Sequence, residues 1–403
     1  MMRALLTLFA LCSLVACNTN NAAKPSTSTA QQGASTQQTA LPQTKKIGNI
    51  SDKGLNEYAT VEIMPEVIFD AKSRIRSATL AHNGKIYFGS EKGNFYALDI
   101  ATKQALWEYS ADLAMKTQPA IADNKIIFNA GNSLYILDAE NGDELHKTIY
   151  PAPDSFEAST DTYTYHDSYV AVSAGIAYYA ALDGTIVAVD INSGETLWSL
   201  PAETGYIASG INVLDGKLYF IDHSGALTCV DANTREVVFK TQLNGTFFTP
   251  MHIADGKIYV SGRSGKVFCI DAASGKVLWA SFSHDVTTWF SGGSVTRAGT
   301  VYSSTSDEHT LVAYDQNTGE FLRIYPTMAN VFTQPILNGE NVIVAATNVY
   351  ASGNSYIMEF DTQNHFKLWQ AYIKDSVYST PAIYEGVLYF GSDSGKIYGI
   401  KLH

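Results

Sequence analysis

The sequence predicts an all-β fold: an eight-bladed β-propeller of four-stranded blades, its ring closed by an N-terminal strand that completes the last blade. Three observations predict it. One strand, turn, strand phrase recurs along the chain, its spacing stays near forty residues, and the last copy stops where a matching strand near the N-terminus can take over. A single such unit cannot bury both faces of its sheet without a neighbour on each side, so a strand-rich period of this length reads as a closed array of blades.

The phrase is "GNFYALDIATKQALW", residues 93–107, and copies begin at Ser133, Thr185, Ala226, Lys266, Thr310 and Ser355, with a truncated "KIYGIKLH" at the C-terminus. Aligned on their aspartate they give Asp99, Asp138, Asp190, Asp231, Asp271, Asp315 and Asp361, with Lys401 in the eighth place, 39 to 52 residues apart. The second copy predicts the strand plan. Gln118 to Ala122 alternate, Asp123-Asn124 turn, Lys125 to Asn129 run apolar, Gly131-Asn132-Ser133 turn, Leu134 to Leu137 form a third strand, and Asn141-Gly142 lead into a fourth at Glu144. Pro119, Pro250, Pro335 and Pro381 are read into the first strand, whose channel-side edge has no ladder partner to lose. The aspartates are read as turn residues capping their own backbone.

Near the end of the fourth strand a large ring recurs as Trp107, Trp198, Phe239, Trp279 and Trp369, the expected packing between blades; His146 and Arg323 hold that place in two copies, which predicts weaker or differently built seams there. The last copy ends at His403 before any fourth strand, and "EVIFDAK" upstream of the first copy supplies one, with Ile68-Phe69-Asp70 aligned on Leu106-Trp107-Glu108. Closing the ring in this way removes two open sheet edges.

The chain has 403 residues, 46% hydrophobic and 12% aromatic, enough for one large closed domain over 60–403. Charged residues make up 16%, the net charge is -12 and no basic patch is visible, which argues against nucleic acid as a partner. Arg3 and the apolar run Ala4 to Val15 read as a signal peptide over 1–16, too short to span a bilayer comfortably. Leu14-Val15-Ala16-Cys17 resembles the bacterial lipobox, which implies lipidation at Cys17, and Asn18 in place of Asp then implies the outer membrane. Residues 17–46 are polar and of low complexity, a flexible tether between anchor and body. Cys229 and Cys269 occupy the place of Ala97, Ala188 and Ala313 and read as buried small residues, not a disulfide.

The "GSxxG" turn of Gly89 to Gly93 and Gly391 to Gly395, followed by "LxALD", "SG" or "NG" and "LW", resembles the pyrroloquinoline-quinone-type propeller repeat, and does so over nearly everything after residue 60. With the lipobox, the tether and the chain end after a third strand, the sequence is similar to the lipidated BamB-type members of that family, accessory lipoproteins of the outer-membrane β-barrel assembly machinery. The resemblance implies a non-enzymatic protein-binding scaffold, lipid-anchored at the outer membrane and facing the periplasm, with a protein partner in the cell envelope and no cofactor. The docking pattern associated with that family, Leu-Arg-Gly followed by Ser-Ala-Pro, finds only an echo in Arg74-Ile75-Arg76-Ser77-Ala78.

The alternative is a ligand- or quinone-binding propeller, either a quinoprotein-like oxidoreductase or a periplasmic ligand- or peptide-binding protein. The quinoprotein enzymes carry an adjacent cysteine pair and a calcium site, whereas the two thiols here are forty residues apart and the histidines share no metal-ligating spacing, so neither a catalytic nor a metal set is expected. A candidate binding face is carried by Phe247, Phe248, Trp289, Phe290, Phe332 and Tyr378, just ahead of the first strands. Two readings stand for these rings: packing in the funnel, or a half-ring suited to an extended chain or a flat ligand. The longest gap between copies, 151–170, adds Tyr163 and Tyr165, either on a recognition loop or on a short hairpin.

Overall fold

The computed structural model describes residues 61–151, 169–201, 207, 209–283, 288–349 and 353–402. Within them the chain is an eight-bladed β-propeller of four-stranded antiparallel sheets arranged in a ring. Blades 1 to 6 span 80–110, 120–149, 171–200, 212–242, 252–282 and 290–326. Blade 7 spans 336–373, and blade 8 joins three C-terminal strands within 382–401 to the N-terminal strand Glu66–Asp70. The signal peptide, Cys17, the tether and Tyr163 and Tyr165 lie outside the described residues.

The ring has no single centre of packing. Its apolar side chains divide into eight clusters, one at each seam between neighbouring blades: Ile126, Phe128 and Tyr135 of blade 2 pack on Tyr87 and Phe95 of blade 1, and so on round to Ile397 and Tyr389 of blade 8 against Ile86 and Phe88 of blade 1. Each blade is buried on both faces by its neighbours, which is why its middle strands read as continuous apolar runs. Cys229 and Cys269 are free and buried in such clusters, and burial pushes the Cys269 thiol up to about 11.

The aspartates that mark the repeats cap their own turns. Asp315 Oδ1 accepts from the backbone N–H groups of Asn317 at 2.9 Å and Thr318 at 2.8 Å, and Asp190 and Asp231 do the same two and three residues on. In blades 2, 3, 5 and 6 this turn ends in a glycine at positive φ that lies against the ring of the preceding blade: Gly142 on Trp107, Gly194 on His146, Gly275 on Phe239 and Gly319 on Trp279. Hydrogen bonds from the same strand close the contact. Trp107 Nε1 donates to Ala139 O at 3.3 Å and Trp279 Nε1 to Gln316 O at 3.1 Å, while Thr148 and Thr241, two residues past the ring position, donate to the carbonyls of Gly194 and Gly275, each at 2.7 Å.

His146 is therefore seated as the tryptophans are, with its Nε2 2.7 Å from Asn192 O. The seam after Arg323 is built differently: the turn residue of blade 7 is His365, at φ 65°, and its Nδ1 lies 3.1 Å from the Tyr325 hydroxyl. Trp198 is half-buried against Tyr178, and Arg235 stands in the glycine place of the next blade. Trp369 packs in the cluster between blades 7 and 8, its indole N–H donating to the buried Glu359 carboxylate.

Three details differ from the sequence reading. The prolines precede the first strands, which are only three residues long (Ala120–Ala122, Ala382–Tyr384): proline ends the loop, and only the residues after it pair. The closing strand Glu66–Asp70 pairs with Lys396–Lys401, but Phe69 stands opposite Ile397, where blade 1 has Tyr109 opposite Phe95. A bulge at Ile68 shifts the register, and it is Ile68, not Phe69, that lies over Gly399. Finally, a second N-terminal strand, Val61–Ile63, adds to the outside of blade 7 in parallel with Trp369, Gln370 and Ala371, so the chain start bridges two blades.

Candidate functional site

Strand direction places the loops between blades on the same face of the ring as the turns between second and third strands, with the aspartate turns on the other. Backbone bonds tie the two sets together: Glu91 N to Arg74 O at 2.9 Å, Arg263 N to Thr246 O at 3.0 Å and Asp393 N to Ser376 O at 2.9 Å. This is the face that carries the candidate rings.

Five of the loops are anchored by a buried hydroxyl that precedes the first strand and donates to a carbonyl twelve residues on: Ser77 to Gly89, Thr117 to Asn129, Ser209 to Ile221, Thr249 to Ser261 and Thr333 to Ala345, at 2.7 to 3.2 Å. Ser379 donates instead to Ser77 O at 2.7 Å, across the closing seam. The sequence carries a signal for this device, Ser or Thr two residues before proline or in the aligned place, which the reading of the rings alone passes over.

The loops set the rings by this anchoring. Phe247 and Phe290 lie wholly inside seam clusters, Phe247 against Phe268 with ring centroids 5.9 Å apart. Phe248, Phe332 and Tyr378 each leave less than a tenth of their surface to solvent, and Trp289 is half-buried. Two arginines cover them. The Arg263 guanidinium sits 5.1 Å from the Phe248 ring and 4.4 Å from that of Trp289, and Arg76 sits 4.7 Å from Tyr378, which packs on Phe332 at 5.6 Å. The face thus holds two arginine-capped aromatic stacks, one at blades 5 and 6, the other running from blade 7 to the closing seam.

Arg76 also joins the ends of the chain. Its Nε and Nη2 donate to the two carboxylate oxygens of Asp393 at 2.8 and 2.7 Å, with Glu91 3.6 Å away, and the bidentate bond holds the guanidinium above its ordinary pKa. Beside this pair opens a cleft of 420 Å³ lined by Lys72, Ser73, Arg74, Glu91, Lys92, Asp393 and Ser394. The segment Arg74 to Ala78 therefore serves ring closure: Ile75 N bonds Ser392 O, Ser77 is anchored as above, and Arg74 approaches Glu91 at 3.7 Å. Among the described residues no group of histidine, cysteine, aspartate or glutamate side chains is placed to hold a metal ion.

Comparison with known proteins follows the same outline. A family model for outer membrane protein assembly factor BamB matches residues 67–183, 182–285 and 263–403. Curated relatives include BamB of Shewanella oneidensis, 22% identical over 181 residues (41% of this chain, 43% of that protein), and BamB of Yersinia pestis, 21% identical over 173 residues (40% and 42%). A polyvinylalcohol dehydrogenase of Sphingopyxis sp. is 29% identical over 133 residues, 28% of this chain and 20% of the enzyme. The matched segments thus span less than half the length of each of these relatives. Among solved structures, the computationally designed Ika8 protein superposes with a TM-score of 0.69 at 15% identity (83% of this chain, 98% of that one), and BamB from Moraxella catarrhalis with 0.59 at 18% (69% and 82%).

Proposed function

The chain belongs to the family of outer membrane protein assembly factor BamB, and from that premise we propose that it is a non-enzymatic, protein-binding scaffold, held at the outer membrane through a lipid on Cys17 and acting in the assembly of β-barrel proteins there. The observation that carries this reading is the family match, which runs from residue 67 to 403 and leaves out no blade. The lipobox and the polar tether of residues 17–46 support it, since they set the propeller off from the membrane surface where a partner is reached. The loop face supports it too: arginine over buried aromatic side chains is the composition of a protein-binding surface.

The test is a mild-detergent pull-down of the lipidated protein from its own membranes, with Cys17→Ala as control. Recovery of a barrel-assembly protein with the wild type and its loss with the control supports the reading; a redox carrier in its place overturns it.

The match to a polyvinylalcohol dehydrogenase favours a second reading, quinone-dependent oxidation. The residues here do not fit that cofactor as the enzymes hold it: Cys229 and Cys269 sit in different blades, buried, and no metal-ligating set is present among the described residues. Alcohol oxidation by the protein after loading with quinone and calcium would reinstate this reading.

A further inference from the structure

In blades 1 to 7 the fourth strand carries a bulge at the same place, where the ladder skips the residue before the ring position; in blade 8 the bulge falls elsewhere, at Ile68. In blades 1 to 6 the skipped residue is Leu106, Leu145, Leu197, Val238, Leu278 and Leu322, each 37 to 49% exposed on the rim of the ring. Blade 7 is the exception. There the skipped residue, Leu368, is half-buried, and among the described residues this blade alone has a further strand on its outer edge, Val61–Ile63, lying parallel along Trp369 to Ala371, with Ile63 and Leu368 both packed on the same cluster. The molecule itself thus displays what covers such an edge: an extended segment with apolar residues at alternate positions.

The free edges are not alike. Sheet edges are ordinarily guarded by charge or proline. Gln104–Ser110 holds Glu108, Glu144–Ile149 holds Lys147, Val237–Gln242 holds Lys240, and Phe321–Pro326 holds Arg323 and ends in proline. Thr196–Leu200 of blade 3 and Val277–Phe282 of blade 5 contain neither charge nor proline, yet carry Leu197 and Leu278 on the rim. We infer that these two edges are strand-accepting sites, each taking an extended segment of a partner polypeptide with apolar residues at alternate positions, in the parallel sense that Val61–Ile63 adopts on blade 7. The inference rests on the edges alone and is independent of the loop face and of the scaffold reading.

The probe is a fluorescent peptide with the sequence of residues 58–64, YATVEIM, added to the full chain. Saturable binding is expected, with new hydrogen-exchange protection within 196–200 and 277–282. The double variant Leu197→Lys, Leu278→Lys should weaken binding about tenfold or more, while Leu106→Lys, on an edge that already holds a charge, leaves it unchanged. The wild-type exchange map decides the matter even if the double variant folds poorly. Absence of binding below about 1 mM, protection confined to 366–373 through exchange with the chain's own strand, or binding indifferent to the double substitution would overturn the inference. Self-association lost in the double variant would assign the edges to a second copy and overturn the partner.

Discussion

Two glycines in blade 6 separate the cost of backbone conformation from the cost of a seam. Gly299, at φ 77°, has nothing within 4 Å of where a Cβ would stand; Gly319, at φ 69°, would place its Cβ 2.6 Å from Cδ2 and 2.7 Å from Cε3 of Trp279, and 2.7 Å from Ser281 Oγ. Gly299→Ala should therefore cost only the left-handed penalty, about 1 kcal/mol. Gly319→Ala adds displacement of a packed indole, about 1 to 3 kcal/mol for overpacking, and puts at risk the Trp279 Nε1 bond to Gln316 O, giving roughly 2 to 4 kcal/mol in all. The assay is urea unfolding followed by circular dichroism, with a double-mutant cycle. In a Trp279→Ala background Gly319→Ala should fall towards the cost of Gly299→Ala, with the Ser281 hydroxyl the one close contact left. Equal costs for the two single variants, or no relief on removing the indole, would refute the ring-under-glycine contact as a source of seam stability.

Four further outcomes are expected. Deleting residues 61–70 removes the fourth strand of blade 8 and the added strand of blade 7, and should lower the thermal midpoint and solubility together; a chain unchanged in both would show that the ring does not close there. Thr249→Val keeps the volume but removes the buried donor to Ser261 O, at 2.7 Å, and should cost about 1 to 2 kcal/mol in urea unfolding. Asp315 is held below its usual 3.8 by its bonds to the turn, first the Thr318 backbone N–H, so its contribution is present above that value and is lost as pH falls through the lower folded pKa. Asp315→Asn should accordingly melt below the wild type near about pH 7 and converge with it towards about pH 3. Arg263→Ala should weaken capture of the envelope partner without lowering the melting temperature, as a pull-down beside a thermal scan will tell.

The periodic parts of this fold were legible because they depend on residues close together in the chain. An aspartate that caps its own turn needs only the two or three residues after it, so Asp190, Asp231 and Asp315 mark the blades in sequence and in space alike. The closing strand was legible for the same reason, as a copy of a local phrase, but its register was not. Register in blade 8 follows from the bulge at Ile68 and from Gly399, residues at opposite ends of the chain. The parallel strand Val61–Ile63 left no trace in the pattern at all: three residues with one apolar alternation carry no period, and what seats them is the edge of blade 7.

The loop face shows the same divide more sharply. Aromatic residues ahead of the first strands are visible in sequence, but whether a ring is offered to solvent depends on what lies across the seam. Tyr378 is covered by Arg76, three hundred residues earlier in the chain, and Arg76 is itself fixed by Asp393, so a stack that joins blades 7, 8 and 1 has no local signature. Phe248 and Trp289 are bridged by Arg263 from a turn that reads like any other in the repeat. A closed ring makes sequence-distant residues neighbours at one seam, and it is at that seam that the cleft beside Arg74 and Lys92 opens. The make-up of this face is therefore a property of pairs of blades, and a variant in one blade should be judged by what it uncovers on the next.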